Sequence, residues 1–348
     1  MAGKARQAVA SAALLLCSLA LALGASEWLF RRQQWAAFDA AVAQWQHPLY
    51  RILPRSPLEF SLVPGSEGTG VVRASGIEWH YRINSRGFRS TDYSAEAMAT
   101  RRNVLLLGDS YLFGFAIDQQ DTLSEALKAA MASAGADAPN LHNLGVPGYN
   151  TTHEAALLRE QLAQQRPDLV VLTFVPNDAE PQGNVLRRPD VLYRHQPLWL
   201  LVQLKRAANH YLFGDREVLA TGLHEMSHDF NEAYRLRNNK YRDTRRAFDD
   251  IVALCRAHDV PLLVTVFPAF AASFDASYPY GLIHREVIQW SAENGVRALD
   301  LYDSFRGLPA QQYAVPGDGH PNAAANRLAA AAIAPVLQQM LGATRAGY

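Results

Sequence analysis

"NVLLLGDS", residues Asn103 to Ser110, decides how the chain is read. An aliphatic run of buried-strand length stops abruptly at Gly108-Asp109-Ser110. Gly, Asp and Ser favour turns, so a plain turn is one reading. A nucleophile displayed where a strand ends is the other. The pattern around the stretch favours a repeating strand–helix plan. "TLSEALKAAMASAG" (Thr122–Gly135) has helical spacing and a terminal glycine. "LHNLGVPG" (Leu141–Gly148) reads as a second strand and turn, and "NTTHEAALLREQLAQQ" (Asn150–Gln165) as a helix. "DLVVLTFVPND" (Asp168–Asp178), "PLLVTVFP" (Pro261–Pro268) and "VRALDLY" (Val296–Tyr302) supply three more strands. "PNAAANRLAAAAIAPVLQQM" (Pro321–Met340) closes the chain as a helix kinked at Pro335. Alternating apolar strands and helices predict an α/β fold built on a doubly wound parallel sheet.

The 348 residues are 49 % hydrophobic, enough for a large core. Thirty-three Lys and Arg balance 33 Asp and Glu, so the basic footprint of a nucleic-acid binder is missing. The two cysteines, Cys17 and Cys255, fall in different environments and predict no internal disulfide. At the N-terminus, Lys4 and Arg6 precede a charge-free stretch from Ala8 to Ser26, followed by Glu27, Trp28, Leu29, Phe30, Arg31 and Arg32. Ala22, Gly24 and Ala25 would suit signal-peptide cleavage. An uncleaved anchor with Trp28 at the interface is preferred, because the apolar run continues through Phe30. Leu14, Leu15 and Leu16 ahead of Cys17 are too bulky for a lipoprotein cleavage site. The expected plan is an anchor over residues 1–32, a juxtamembrane α+β subdomain over 33–100, and a catalytic domain over 101–345 with a helical insertion near 180–240. The expected location is the inner membrane, single-pass, with the catalytic domain outside the cytoplasm, or secretion if the leader is cut.

In an open α/β sheet, ligands bind beyond the carboxyl ends of the strands. There the first strand delivers Ser110, the second Gly148, the third Asn177, and the approach to the last helix Asp318 and His320. A serine hydroxyl needs a base to become a nucleophile, and His320 can serve. Asp318 can hold the imidazole tautomer and stabilise the imidazolium. Gly148, through a bare backbone N–H, and Asn177, through its amide, suit an oxyanion hole. The nucleophile elbow G-x-S-x-G is not met, because Leu112 stands two beyond the serine.

What the chain does resemble is the SGNH, or GDSL-like, hydrolase family. "LLLGDSYLFG", "HNLGVPGYNT", "DLVVLTFVPND" and "DGHPN" follow that family's order across residues 103–322. The resemblance implies a three-layer α/β/α flavodoxin-like fold. It implies Ser110 as nucleophile, His320 as base and Asp318 as its acid, with the Ser110 N–H, the Gly148 N–H and the Asn177 side chain as oxyanion hole. "INSRGFRS" (Ile83–Ser90) is similar to membrane-anchored bacterial members. Three positions depart from the pattern. Tyr111 replaces the leucine after the serine and reads as a packing change; Val175 replaces a glycine; and acid and histidine are two apart, with Gly317 at the usual acid position. In an extended segment, residues i and i+2 point the same way, which Pro321 and Gly319 would support. The two-residue spacing is similar to the alginate-type acetyltransferase branch and raises acyl transfer to a sugar.

The expected function is a serine esterase acting on ester-linked acyl groups, acetyl first, in the cell envelope through an acyl-serine. Its partners are an acylated small molecule or glycan and the membrane, with no nucleic acid and no cofactor or metal. Transfer to a polysaccharide by the same triad is the alternative, and a non-catalytic envelope binder a further one. "HEMSH" (His224–His228) matches a zinc-peptidase motif, with Glu225 as base. It has no H-x-x-G-x-x-H extension, and Asp249 or Asp250 are the only nearby guesses at a third ligand. Asp109 is expected to bond the turn, and His142, His153 and His258 to be surface or satisfied core groups. "PLWLLVQLKRAANHYLF" (Pro197–Phe213) is read as a core-packed helix in preference to a lid or acyl-chain surface.

Overall fold

The computed structural model describes residues 2–44, 46–133, 138–179, 188–192, 198–202, 204, 207 and 239–343. The HEMSH stretch and most of the 180–240 insertion lie outside the described residues. The chain forms two compact units, Met1–Gln46 with Leu186–His224, and His47–Val185 with Glu225–Tyr348.

The first unit is dominated by one helix, Ala2–Ala43. At 1.5 Å per residue it is about 63 Å long, roughly twice the hydrocarbon thickness of a bilayer. Its Val9–Ala43 stretch is long and apolar enough to cross a membrane, and none of its most apolar window is buried in the protein. Leu14, Leu15, Leu16, Leu19, Leu21 and Leu23 are all exposed. A helix that leaves leucines open on every side suits hydrocarbon rather than water. Glu27 makes the turn back to the insertion: its carboxylate accepts the Trp199 and Leu200 amides at 2.8 and 2.9 Å. Arg31 donates to the same carboxylate and stacks over the Trp199 ring.

The second unit opens with two antiparallel hairpins, β1 (Tyr50–Ile52) with β2 (Phe60–Leu62), and β3 (Glu67–Val71) with β4 (Glu78–Arg82). Then come β5 (Asn103–Leu107), β6 (Asn140–Asn143), β7 (Leu169–Phe174), β8 (Leu262–Val266) and β9 (Arg297–Asp300). They pair in parallel in the order β6-β5-β7-β8-β9, the flavodoxin-like winding. The expected doubly wound parallel sheet is therefore the fold.

Alternation along the strands sets the two helix layers. Val104, Leu106 and Val171 join Leu127, Met131, Ala329, Ile333 and Leu337 of the helices Leu123–Ser133 and Ala323–Ala343 in one core. Phe174, on the opposite face, meets Phe248 of the helix Asn239–Ala257. Phe248 in turn packs edge-on against Trp290 of the helix Gly281–Glu293. The last helix continues through Pro335. The strand order reverses at β5, with β6 on one side and β7 on the other. That reversal opens a crevice at the carboxyl end of β5, where Ser110 stands.

Candidate active site

The first turn after β5 is built by Asp109. Its carboxylate caps the single helical turn Ser110–Phe113 by accepting the Tyr111 amide at 2.8 Å. Gly114, in the left-handed region at φ 81°, ends that turn. Ser110 therefore sits as the first residue of a short helix, as a strand-end nucleophile would. It is 8 % exposed, so its hydroxyl is nearly but not fully enclosed. Asp109 is fully buried, and that burial pushes its carboxyl up. Bonds from the Tyr111 amide, Asn177 and Ser110, with the charge of His320, act the other way.

The second loop rests directly on this turn. A Cβ at Gly145 would lie 2.3 Å from the Phe113 nitrogen, so only glycine permits the approach. Gly148 follows with φ 89°. Asn150 then caps the helix Thr151–Leu162 in a capping box with His153. The third loop turns through Pro176–Ala179, and Asn177 Nδ2 donates to Asp109 Oδ2 at 3.3 Å. Asp109 thus ties the Ser110 turn to the Asn177 loop.

The fourth loop closes on itself. The Asp318 amide donates to the Val315 carbonyl at 3.0 Å, with Pro316 and Gly317 between, and Gly317 has φ 74°. Proline then a left-handed glycine is the type II turn pattern. The Val315 amide donates to the His320 carbonyl at 2.9 Å. Asp318 Oδ1 accepts both the His320 backbone N–H, at 3.0 Å, and the ring Nδ1–H. The two-residue spacing is thus closed by an Asx-turn within a bend, not by a plain extended segment. Burial alone would raise the Asp318 carboxyl; its bonds to His320 and the imidazole charge outweigh this and hold it below the usual range.

His320 Nε2 lies 2.8 Å from Ser110 Oγ, 210 residues away in sequence. With Nδ1–H given to Asp318, Nε2 is the accepting nitrogen. Ser110 Oγ also lies 3.1 Å from Asp109 Oδ2. Its single proton serves one acceptor at a time, and the imidazole is nearer. The arrangement has the parts that move a hydroxyl proton to an imidazole steadied by a carboxylate. Rings of Tyr111 and Phe115 flank His320, with centroids at 5.4 and 4.9 Å.

All five sequence-chosen residues, Ser110, Gly148, Asn177, Asp318 and His320, fall on loops that follow β5, β6 and β7 or precede the last helix. Other features had structural roles that the sequence did not show. Tyr111 is more than packing: its hydroxyl donates to the Gly319 carbonyl at 2.9 Å and accepts the Phe270 amide at 3.3 Å. Arg89, fully buried, donates to the carbonyls of His80, Phe113, Gly114 and Ile117 and clamps the chain just beyond Ser110. Burial pulls its guanidinium down to about 10, with Asp118 acting the other way. Behind the site, Glu154 and Asp178 are buried carboxyls. Burial pushes both well up; the charge of Asp109 adds for each, and Glu154 adds for Asp178. His142 and His153 are buried and His258 is exposed. Among the described residues, no group of three or more His, Cys, Asp or Glu is placed to hold a metal.

Residues 106–328, well over half the chain, match the model of the GDSL-like lipase/acylhydrolase family. No curated protein matches the chain. Similar solved structures include TesA, at 17 % identity and TM-score 0.43, covering 68 % of this chain and 98 % of that one. The lipase/acylhydrolase from Enterococcus faecalis is 15 % identical, with TM-score 0.42, covering 68 % and 96 %. The psychrotrophic esterase EstA from Pseudoalteromonas sp. is 13 % identical, with TM-score 0.39, covering 69 % and 98 %. The four ordered sequence blocks and the family match agree: the chain belongs to the GDSL-like lipase/acylhydrolase family and is a hydrolase acting on ester bonds.

Proposed function

We propose that the protein is a membrane-anchored serine esterase that removes short acyl groups, acetyl first, from small molecules or glycans of the cell envelope. One observation carries the reading: Ser110 Oγ and His320 Nε2 stand 2.8 Å apart, with Asp318 on the far ring nitrogen. Ser110 attacks the ester carbonyl as His320 takes its proton, and the C=O electrons move onto oxygen. The Ser110 and Gly148 N–H groups and the Asn177 amide, oriented by Asp109, receive that oxyanion. Collapse expels the alcohol, which takes the proton back from His320 and leaves an acyl-serine. Water, activated by the same imidazole, then releases the acid. Asp318 stabilises the imidazolium in both halves, and its lowered carboxyl stays ionised at neutral pH. The long exposed apolar helix supports anchoring; the same proposal puts the catalytic domain on the periplasmic side of the inner membrane.

A second reading has the acyl group pass from Ser110 to a sugar hydroxyl instead of water. The two-residue Asp318–His320 spacing, closed by the Asx-turn, favours it.

The test is the full chain in detergent with a short-chain aryl acetate. Ser110→Ala, folded by circular dichroism, is expected to lose turnover by at least about a thousandfold. Unchanged turnover would remove Ser110 from the mechanism. Adding an acceptor glycan separates the readings: acylated glycan in place of free acid supports transfer.

A further inference from the structure

Two departures from the family pattern, Tyr111 after the serine and the shortened acid–histidine spacing, touch each other. The Tyr111 hydroxyl donates to the carbonyl of Gly319, the residue between Asp318 and His320, at 2.9 Å. The same oxygen accepts the Phe270 amide at 3.3 Å, so its one proton is directed at Gly319. Its ring packs edge-on against Phe267 and against His320. Tyr111 is itself buried, so water cannot take the place of either partner.

The Asp318–Gly319–His320 bend needs that grip. Asp318 reaches His320 only by folding its carboxylate back onto the next-but-one residue. Val315 bonds both ends of this turn, the Asp318 amide and the His320 carbonyl, and Ala314 pairs with Pro321 just beyond it; these bonds leave the Gly319 peptide in the middle to another support. Gly319 carries no side chain to fix its place, and a Cβ there would already press to 3.2 Å from Ala271. The Gly319 carbonyl is therefore the handle by which the rest of the protein can hold the turn. Tyr111 is rigidly placed to hold it, because it is the second residue of the turn that carries Ser110.

Resting on the Ser110–His320–Asp318 reading, we propose that Tyr111 is a positioning residue for ester cleavage. Its hydroxyl grips the Gly319 carbonyl and sets the register of His320 against Ser110, which lets acid and base stand two residues apart. One residue thus links the candidate nucleophile to its base through a bond spanning 208 positions.

A built-in control exists one amide away. Tyr278 also takes a backbone amide of this loop, that of Ala269, at 2.9 Å. Its hydroxyl then meets His284 Nε2 at 3.0 Å, and His284 is held by Asp300 at 2.7 Å. No bond joins Tyr278 to the 318–320 turn among the described residues.

The experiment compares wild type, Tyr111→Phe, Tyr278→Phe and Ser110→Ala as full chains in detergent, on an aryl acetate. Fluorophosphonate titration normalises turnover to labelled, folded sites in the three proteins that keep Ser110; Ser110→Ala is normalised to folded protein by circular dichroism. Tyr111→Phe is expected to lower kcat about ten- to a hundredfold with KM within about twofold, as misplacement of a reacting group does. Tyr278→Phe is expected to keep kcat within about twofold, whatever it does to the melting temperature. Wild-type kcat in Tyr111→Phe, or an equal loss in Tyr278→Phe, overturns the proposal, because either shows that the hydroxyl gives only general loop support. Full turnover in Ser110→Ala sinks the underlying reading instead, and the proposal with it. If the phenyl variant folds poorly, Tyr111→Leu repeats the measurement with a smaller side chain, and the same outcomes decide.

Discussion

Gly317 lies against Ala74: a Cβ built on the glycine would come within 2.7 Å of the alanine Cβ and 3.3 Å of its carbonyl carbon. The turn between β3 and β4 thus occupies the space that a side chain at position 317 would need. This is the place where the family pattern expects the acid. With φ at 74°, position 317 also disfavours any residue but glycine. The hairpin therefore leaves no room for an acid side chain at 317, and the carboxylate beside His320 comes from position 318. Moving it to 317 should fail. Gly317→Asp combined with Asp318→Asn is expected to stay as inactive as Asp318→Asn alone. The single Gly317→Asp change should cost about 1–2 kcal/mol in stability from the left-handed backbone alone. Urea melts and aryl acetate turnover check both parts; recovered turnover in the double variant would show that the hairpin does not control the spacing.

Arg89 connects the same hairpin to the Ser110 turn. Its guanidinium gives bonds of 2.6 Å to the His80 and Gly114 carbonyls and 2.8 Å to that of Ile117, with a longer one to Phe113. Among the described residues no carboxylate pairs with it directly; backbone carbonyls and the Gln119 side-chain oxygen, at 3.1 Å from Nε, carry the solvation. Arg89→Met keeps the stem but abandons those acceptors, and the bonds lost at Phe113, Gly114 and Ile117 are buried ones. The expected loss is about 3–5 kcal/mol, the range for removing one member of a buried charged network. Arg89→Lys should recover only part of it, since an ammonium cannot span acceptors laid out for a planar fork. Denaturant midpoints of the three proteins test the ranking.

These two relationships show where sequence reading stops. β5 and β7 are legible because they are aliphatic runs ended by Gly108 and by Pro176-Asn177. The loops after them hold Ser110 and Asn177 for the same reason: turn residues mark the ends of buried strands. Strands β1 and β2 have three residues each, too few for alternation to register. Arg89 sits in a stretch rich in arginine and serine and gives no sign that it alone is buried. The acid–histidine spacing was visible, but the Tyr111 grip on it depends on a contact 208 residues apart. No periodicity encodes that contact. Glu154 looks like an ordinary acid in the first turn of a helix, where the dipole favours it; only its burial sets it apart.

That burial has a pH signature. Among the described residues neither Glu154 oxygen has a hydrogen-bond partner, and the side chain is fully enclosed. Burial, then the charge of Asp109, raises its carboxyl well above the usual range. The folded chain therefore binds this proton more tightly than the unfolded chain. By linkage, stability falls as pH rises from the ordinary glutamate value of about 4.3 toward the raised folded value. Glu154→Gln removes that contribution. The stability of the variant should decline less than that of the wild type between about pH 4.5 and the raised value, and the two curves should run parallel below about pH 4. Urea melts across pH 4 to 8 measure this; parallel curves over the whole range would mean that Glu154 does not carry the proton.

Asn177 is the last position to separate by experiment. Asp109 Oδ2 accepts its amide N–H at 3.3 Å and also faces the Ser110 hydroxyl at 3.1 Å. If the amide serves the oxyanion, its interaction strengthens only as the carbonyl becomes tetrahedral. Asn177→Ala should then lower kcat by about 10²–10³ while KM stays near the wild-type value. If the amide matters only as a strut for Asp109, losing it would loosen the Ser110 turn instead. Fluorophosphonate labelling would then slow in proportion to a lowered melting temperature, and Asn177→Asp would fare worse than alanine by setting a second carboxylate beside Asp109. The oxyanion role requires the alanine variant to lose turnover without losing stability, and that pairing of kcat with melting temperature is the measurement that decides it.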